Sequence, residues 1–177
     1  SGQAPDDLAL GQLHDELHAS FVHVTHDETE ALALADTVVV MNAGRIEQVG
    51  TPADLYERPE SIFVAGFIGA PPMNLIGGAL REEAMAPAFK SAGIDLDLAG
   101  HPDAAALRKH ENKPVTLGIR PEHVVVGADS PGGIRAKVAV EEFAGPEVIL
   151  DLMAGPHPVK ARVQRDVRGA VQDVLRE

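Results

Sequence analysis

The sequence predicts an α+β protein in two parts. Residues 1–70 read as an incomplete α/β segment and residues 71–177 as a small β-barrel or sandwich. Up to about residue 70, apolar residues recur with helical spacing between short Val-rich runs. After "GAPPMN" the helical spacing nearly disappears, and Val, Ile and Leu runs alternate with Gly, Pro and Asp. Hydrophobic residues make up 45% of the chain while aromatics make up 3%, so the core must be built from Val, Leu, Ile and Ala.

Within the first part, "DDLALGQLHDELH" places Leu8, Leu10, Leu13 and Leu17 loosely on one face, with Gly11 weakening the middle, and predicts a helix towards its C-terminal half. "FVHVT", residues 21–25, has His23 as its one strongly polar side chain, the pattern of a strand covered on both faces as in a parallel sheet. Asp27 and Glu30 have capping-box spacing ahead of Ala31, Leu32, Leu34 and Ala35, so a helix starts just after His26. "TVVVM" and "RIEQV" flank "NAG", which predicts a hairpin with a three-residue loop and Gly44 in the left-handed region. Thr51, Pro52 and Asp54 supply an N-cap, a first-turn proline and a capping acid for a short helix halted by Pro59. The second part offers "NLIGGAL", "PVTLGI", "IRAKVAVEEF", "EVILDLM" and "HPVKARV" as strands, with "HPDAAALRKH" as a helical turn or surface loop. The boundary falls near Ala70 to Met73, where the paired prolines and the glycine at 69 break the preceding pattern.

Charge and composition remove several classes of function. Fifteen basic against 27 acidic residues give a formal net charge of -12, which repels a phosphate backbone, and the scarce aromatics offer no stacking platform. Nucleic acid is therefore not an expected partner. The chain has no cysteine, which excludes disulfides and thiolate metal sites and suits a reducing compartment. No apolar run approaches the roughly 20 residues needed to cross a bilayer, and the N-terminus lacks a signal-peptide plan, so the expected location is the cytoplasm.

The sharpest chemical feature is Thr25-His26-Asp27 at a strand-to-helix junction. A polar side chain at the carboxyl end of a buried parallel strand points into the crevice where open α/β sheets bind ligands. Such an imidazole can donate a hydrogen bond to a phosphate oxygen on which charge accumulates. Taken alone, a histidine before a helix is more often a structural residue. "HDELH" sets His14 and His18 four apart with Asp15 near the position of a metalloprotease glutamate. Aspartate is a methylene short for that base, so the zinc hydrolase reading ranks below an ordinary surface helix, and no metal is expected.

"VTHDETEALALADTVVVMNAGRIEQVGTPADLYERP" resembles, almost position by position, the end of the ATP-binding subunit of ABC transporters. "FVAGFIGAPPMNLI" resembles the link to the regulatory domain in sugar importers of the maltose and glycerol-3-phosphate type. "LGIRPEHV", residues 117–124, resembles the signature segment of the appended TOBE domain, an OB-like β-barrel. The resemblance implies that residues 1–70 are the C-terminal segment of a nucleotide-binding domain and residues 71–177 a TOBE domain. It implies that His26 is the switch histidine at the ATP γ-phosphate, with Asp27 opening the next helix. Gly118, Arg120, Pro121, Glu122 and His123 would form the regulatory segment. For these the plainer reading is a strand-end turn, fixed by Pro121, with Arg120 pairing an acid.

The departures from that family narrow the function. The sequence contains no G-x-x-x-x-G-K-[ST] loop, no apolar strand ending in paired acids and no "LSGGQ". "SGQAPDDLAL" does not match the family's helix and is expected to be an expression scar or truncated stub, and "VQDVLRE" stops where a last barrel strand usually follows. The implied function is therefore a pairing and regulatory part of an importer ATPase subunit that does not itself catalyse. ATP and Mg would belong to the full-length parent, and neither is expected on this chain. The implied partners are a second copy through the TOBE domain, transmembrane permease subunits holding the parent at the inner face of the membrane, and a regulatory protein. The alternative is a stand-alone TOBE protein that binds a small oxyanion.

Overall fold

The computed structural model describes residues 20–83, 85–127 and 133–164, and it divides into two compact units, the first ending at Pro72 and the second beginning at Met73. "DDLALGQLHDELH", His14, Asp15, His18 and "VQDVLRE" lie outside the described residues. No helix among the described residues is long and apolar enough to cross a membrane.

The first unit is a hairpin packed on short helices. Helix α1, Glu28–Leu34, starts where expected because the Asp27 carboxylate accepts from the amides of Thr29 and Glu30. Strands β1, Val38–Asn42, and β2, Arg45–Gly50, pair antiparallel with Asn42 opposite Arg45, so the loop is Ala43–Gly44. The expected three-residue loop is thus a two-residue one. Both loop residues have positive φ, 47° and 77°, the geometry whose twist matches that of the flanking strands. Helix α2, Pro52–Glu57, is capped by Thr51 as predicted. Helix α3, Ile62–Phe67, was not expected; the Ser61 hydroxyl accepts from the Val64 amide, and Phe63 stacks on Phe67 with centroids 5.6 Å apart. Val40 of β1, Leu55 of α2, Val64 of α3 and Ile68 at its C-cap form the core, with Leu32 of α1 packed against it. Fully burying such a side chain contributes about 1.5–3 kcal/mol.

"FVHVT" is not a strand. Residues 21–25 are assigned to no strand, and Val22 and Val24 are 93% and 90% exposed. An extended run needs a neighbour to satisfy its amides and carbonyls. The described strands of this unit, β1 and β2, pair with each other instead.

The second unit is two antiparallel sheets, which bears out the OB-like β expectation and with it the α+β class. Strands β3, Asn74–Glu83, β4, Ala86–Ser91, β5, Ile94–Asp97, and β6, Pro114–Ile119, form one sheet in the order β5-β4-β3-β6. Strands β7, Lys137–Ala144, β8, Glu147–Ala154, and β9, His157–Gln164, form the other in sequence order. Between β5 and β6, helix α4, Ala104–Leu107, and a 3-10 turn over Arg108–His110 realise the helical option for "HPDAAALRKH". β4 and β5 were missed because "APAFKS" carries a proline and "IDLD" is four residues long.

Alternation on β8 aims Val148, Leu150, Leu152 and Ala154 inward. The first three cluster with Ala161 and Val163, while Ala154 joins Ile76, Leu80, Phe89 and Ile94. Val159 packs against both clusters, so one core runs between the two sheets. Gly78 makes room for the Phe89 ring, since a Cβ there would lie 2.4 Å from its Cζ.

Two hairpin turns from different sheets meet backbone to backbone. A Cβ on Gly155, whose φ is 60°, would lie 2.7 Å from the Ala92 carbonyl oxygen, and one on Gly93 would lie 3.0 Å from Gly155 Cα. Nearby, the Ser91 hydroxyl sits 2.7 Å from the Gly77 carbonyl and 2.9 Å from His157 Nε2.

Candidate functional site

Two clusters of sequence-selected residues fall in different units. In the first, His26 is exposed and sits between two anchored neighbours. Thr25 Oγ1 accepts from the Asp27 amide at 3.0 Å. The Asp27 carboxylate accepts from Thr29 N at 2.9 Å and Glu30 N at 3.3 Å, fixing the start of α1. Glu30 does not complete the expected capping box. Its carboxylate turns to the Thr25 hydroxyl and to His23, whose Nε2 lies 3.2 Å from Oε1. The Thr25 hydrogen bond first, and then the His23 imidazole, hold the Glu30 carboxyl below its ordinary range.

His23 and Thr25 are two apart and so share a side, here the side of Glu30, while Val22 and Val24 take the other. Glu30 and His23 were not selected as site residues from the sequence, and Thr25 was named only as the start of the junction. Their signal was the i, i+2 pair of hydrogen-bonding side chains ahead of an acid at N3, which reads equally as a capping box.

In the second unit, Gly118 lies on β6 opposite Leu75 of β3, where a Cβ would stand 2.5 Å from Met73 Sδ. Arg120 is 4% exposed in extended conformation and leads into a 3-10 turn over Pro121–His123. Pro121 is buried, whereas Glu122 and His123 face solvent. His123 N donates to the Arg120 carbonyl at 3.0 Å, and Val124 then packs against the β8–β9 cluster. "LGIRPEHV" is thus a joint carrying the chain from the four-stranded sheet to the three-stranded one. Its geometry supports the plainer reading of a proline-fixed turn. Among the described residues no group of acidic and histidine side chains is arranged to hold a metal ion.

Along the chain the described residues give a helix that opens on Thr-His-Asp, a hairpin, two short helices and an OB-like domain, the order that the resemblance implies for the C-terminal part of an importer ATP-binding subunit. In agreement, the family model described as MalK OB fold domain matches residues 69–124. The chain is 42% identical over 168 residues to the sn-glycerol-3-phosphate import ATP-binding protein UgpC of Shigella boydii serotype 4 (strain Sb227). It is 41% identical over 168 residues to the protein of that name from Escherichia coli (strain K12), and 37% over 171 residues to that from Salmonella choleraesuis (strain SC-B67). Each alignment takes in 95% of this chain and 46% of the relative, so the chain spans about half the length of the curated relatives it matches. It is homologous to the C-terminal part of these importer ATP-binding subunits.

Proposed function

We propose that this chain is the pairing and regulatory part of an import ATP-binding subunit and does not hydrolyse ATP by itself. Residues 1–70 belong, in this reading, to the nucleotide-binding domain and residues 71–177 to a TOBE domain. The observation that carries it is identity of 37–42% running through 95% of a chain that contains no phosphate-cradling Gly-Lys-Ser/Thr loop. In the parent subunit, ATP with Mg draws two copies together and His26 contacts the γ-phosphate as charge accumulates there. The closing motion is passed to permease subunits in the membrane, which release a solute of the glycerol-3-phosphate class named for the relatives. The OB-like domains keep the copies paired while the ATP sites open, with Gly118, Arg120, Pro121, Glu122 and His123 forming the joint within each domain. An exposed Glu122 and His123 on a rigid turn suit a contact with a regulatory protein.

Sedimentation equilibrium of the purified chain tests the pairing. A concentration-dependent dimer is expected, and a monomer at every concentration would overturn it. ATP hydrolysis at the rate of a complete importer subunit would overturn the non-catalytic reading. Stoichiometric molybdate or sulfate uptake in calorimetry would replace it with an oxyanion-binding module.

A further inference from the structure

We propose that the basic turn leading into β6, together with Arg81 of β3, is a docking surface for an acidic segment of another protein. The turn "RKHENK", residues 108–113, carries Arg108, Lys109 and Lys113 against the single acid Glu111, in a chain where acids outnumber bases 27 to 15. Arg81, Arg108, Lys109 and Lys113 are all exposed, and among the described residues none of them belongs to an ion pair. Lys90, Lys160 and Arg162, by contrast, each face a carboxylate. Grouped cations without counter-charges give the turn a positive field that the rest of so acidic a chain lacks.

The backbone that carries these cations is pinned to the sheet. Asn112 N donates to the Leu80 carbonyl at 2.9 Å, and Leu107 packs against the buried cluster that holds Leu80, Phe89 and Ile94. The Arg81 guanidinium donates to the Asn112 side-chain carbonyl and the Arg108 guanidinium to the Met85 carbonyl, both neutral acceptors. These bonds orient each guanidinium without cancelling its charge, which lessens the ordering a partner must impose. Arg81, Glu82, Arg108 and Glu111 line one groove, so both signs stand side by side there. A compact anion would meet the two carboxylates along with the guanidiniums, whereas a segment with spaced acids can set its carboxylates on the cations and stay clear of Glu82 and Glu111. An anionic lipid surface would face the whole chain, whose net charge of -12 opposes it, while a narrow acidic segment meets the turn alone. The turn lies at the opposite end of β6 from the exposed Glu122 and His123, so the two surfaces are distinct.

Fluorescence anisotropy of a labelled polyglutamate peptide mixed with this chain tests the surface, with inorganic phosphate and phosphatidylglycerol vesicles as the rival probes. The peptide is expected to bind at low salt and to weaken as salt screens the contact, the Debye length being about 10 Å at 0.1 M. Lys109→Glu combined with Lys113→Glu should weaken binding by about 10-fold or more, and the Lys109→Gln, Lys113→Gln pair by a smaller factor. Arg135→Glu combined with Lys137→Glu shifts the net charge equally at exposed positions on another segment and should leave binding unchanged. Circular dichroism checks that each variant is folded. Equal loss in both charge-reversed pairs would reduce the effect to net charge and overturn the proposal. Absence of peptide binding would also overturn it. Vesicle binding without peptide binding would assign the turn to a lipid surface instead, and phosphate binding as tight as that of the peptide would reduce it to a site for a simple ion.

Discussion

Asn74 and Gln48, both buried, use their carboxamides on backbone that no strand satisfies. Asn74 Nδ2 donates to the Lys160 carbonyl at 2.8 Å and its Oδ1 accepts from the Lys160 amide at 2.7 Å, so one side chain pairs with β9 as a strand residue would. Gln48 Nε2 donates to the Arg58 carbonyl at 3.0 Å and its Oε1 accepts from the Glu60 amide at 2.9 Å. Removing either leaves a part-buried backbone donor and acceptor unmet. Asn74→Ala is expected to cost about 2–3 kcal/mol in urea denaturation. Asn74→Asp should be no better, because it sets a carboxylate against the Lys160 carbonyl. Neither role was legible in the sequence, since both partners are backbone atoms of residues distant along the chain. His26 and Pro121, by contrast, were legible because their local context, a helix start and a turn, already defines their backbone.

Among elements, the β1–β2 hairpin and the cap of α1 show how far local rules reach. Asn-Ala-Gly was read with one residue too many in the loop, because Asn42 pairs with Arg45 instead of entering the turn. Ala43 consequently holds a φ of 47°, a left-handed conformation that costs an alanine roughly 1 kcal/mol. Ala43→Asn should raise stability by about 0.5–1 kcal/mol, read as an increase in Tm. Gly155→Ala should destabilise by more than about 1 kcal/mol, since the added methyl meets the left-handed penalty and the Ala92 carbonyl together. At α1, the Glu30 carboxyl is held below its ordinary value when folded, so its contribution is present above that value, about 4.3, and is lost as pH falls through the lower folded one. Glu30→Gln should remove that part of the acid dependence, followed by the chemical shift of the Asp27 amide from neutral pH downward.

At the scale of the molecule, the net charge of -12 and the pairing proposal meet in one measurement. Like-charged copies repel less as salt screens them, with a Debye length near 10 Å at 0.1 M. Dimerisation followed by sedimentation should therefore strengthen with added salt over this range. The sequence alone determined the order of most elements, the change of texture after "GAPPMN", the capped starts of α1 and α2, and the resemblance that His26 and "LGIRPEHV" carry. These depend on neighbours within a few residues, where caps, turn residues and alternation act. Only the tertiary structure decided that "FVHVT" joins none of the described sheets, that β4 and β5 complete the larger sheet, and that Asn74 and the Gly93–Gly155 contact tie the two sheets together. It also turned Glu30 from a capping acid into the partner of Thr25 and His23. Each of those outcomes depends on which groups meet across the chain to satisfy backbone, fill space or pair charge, and no local pattern encodes that meeting.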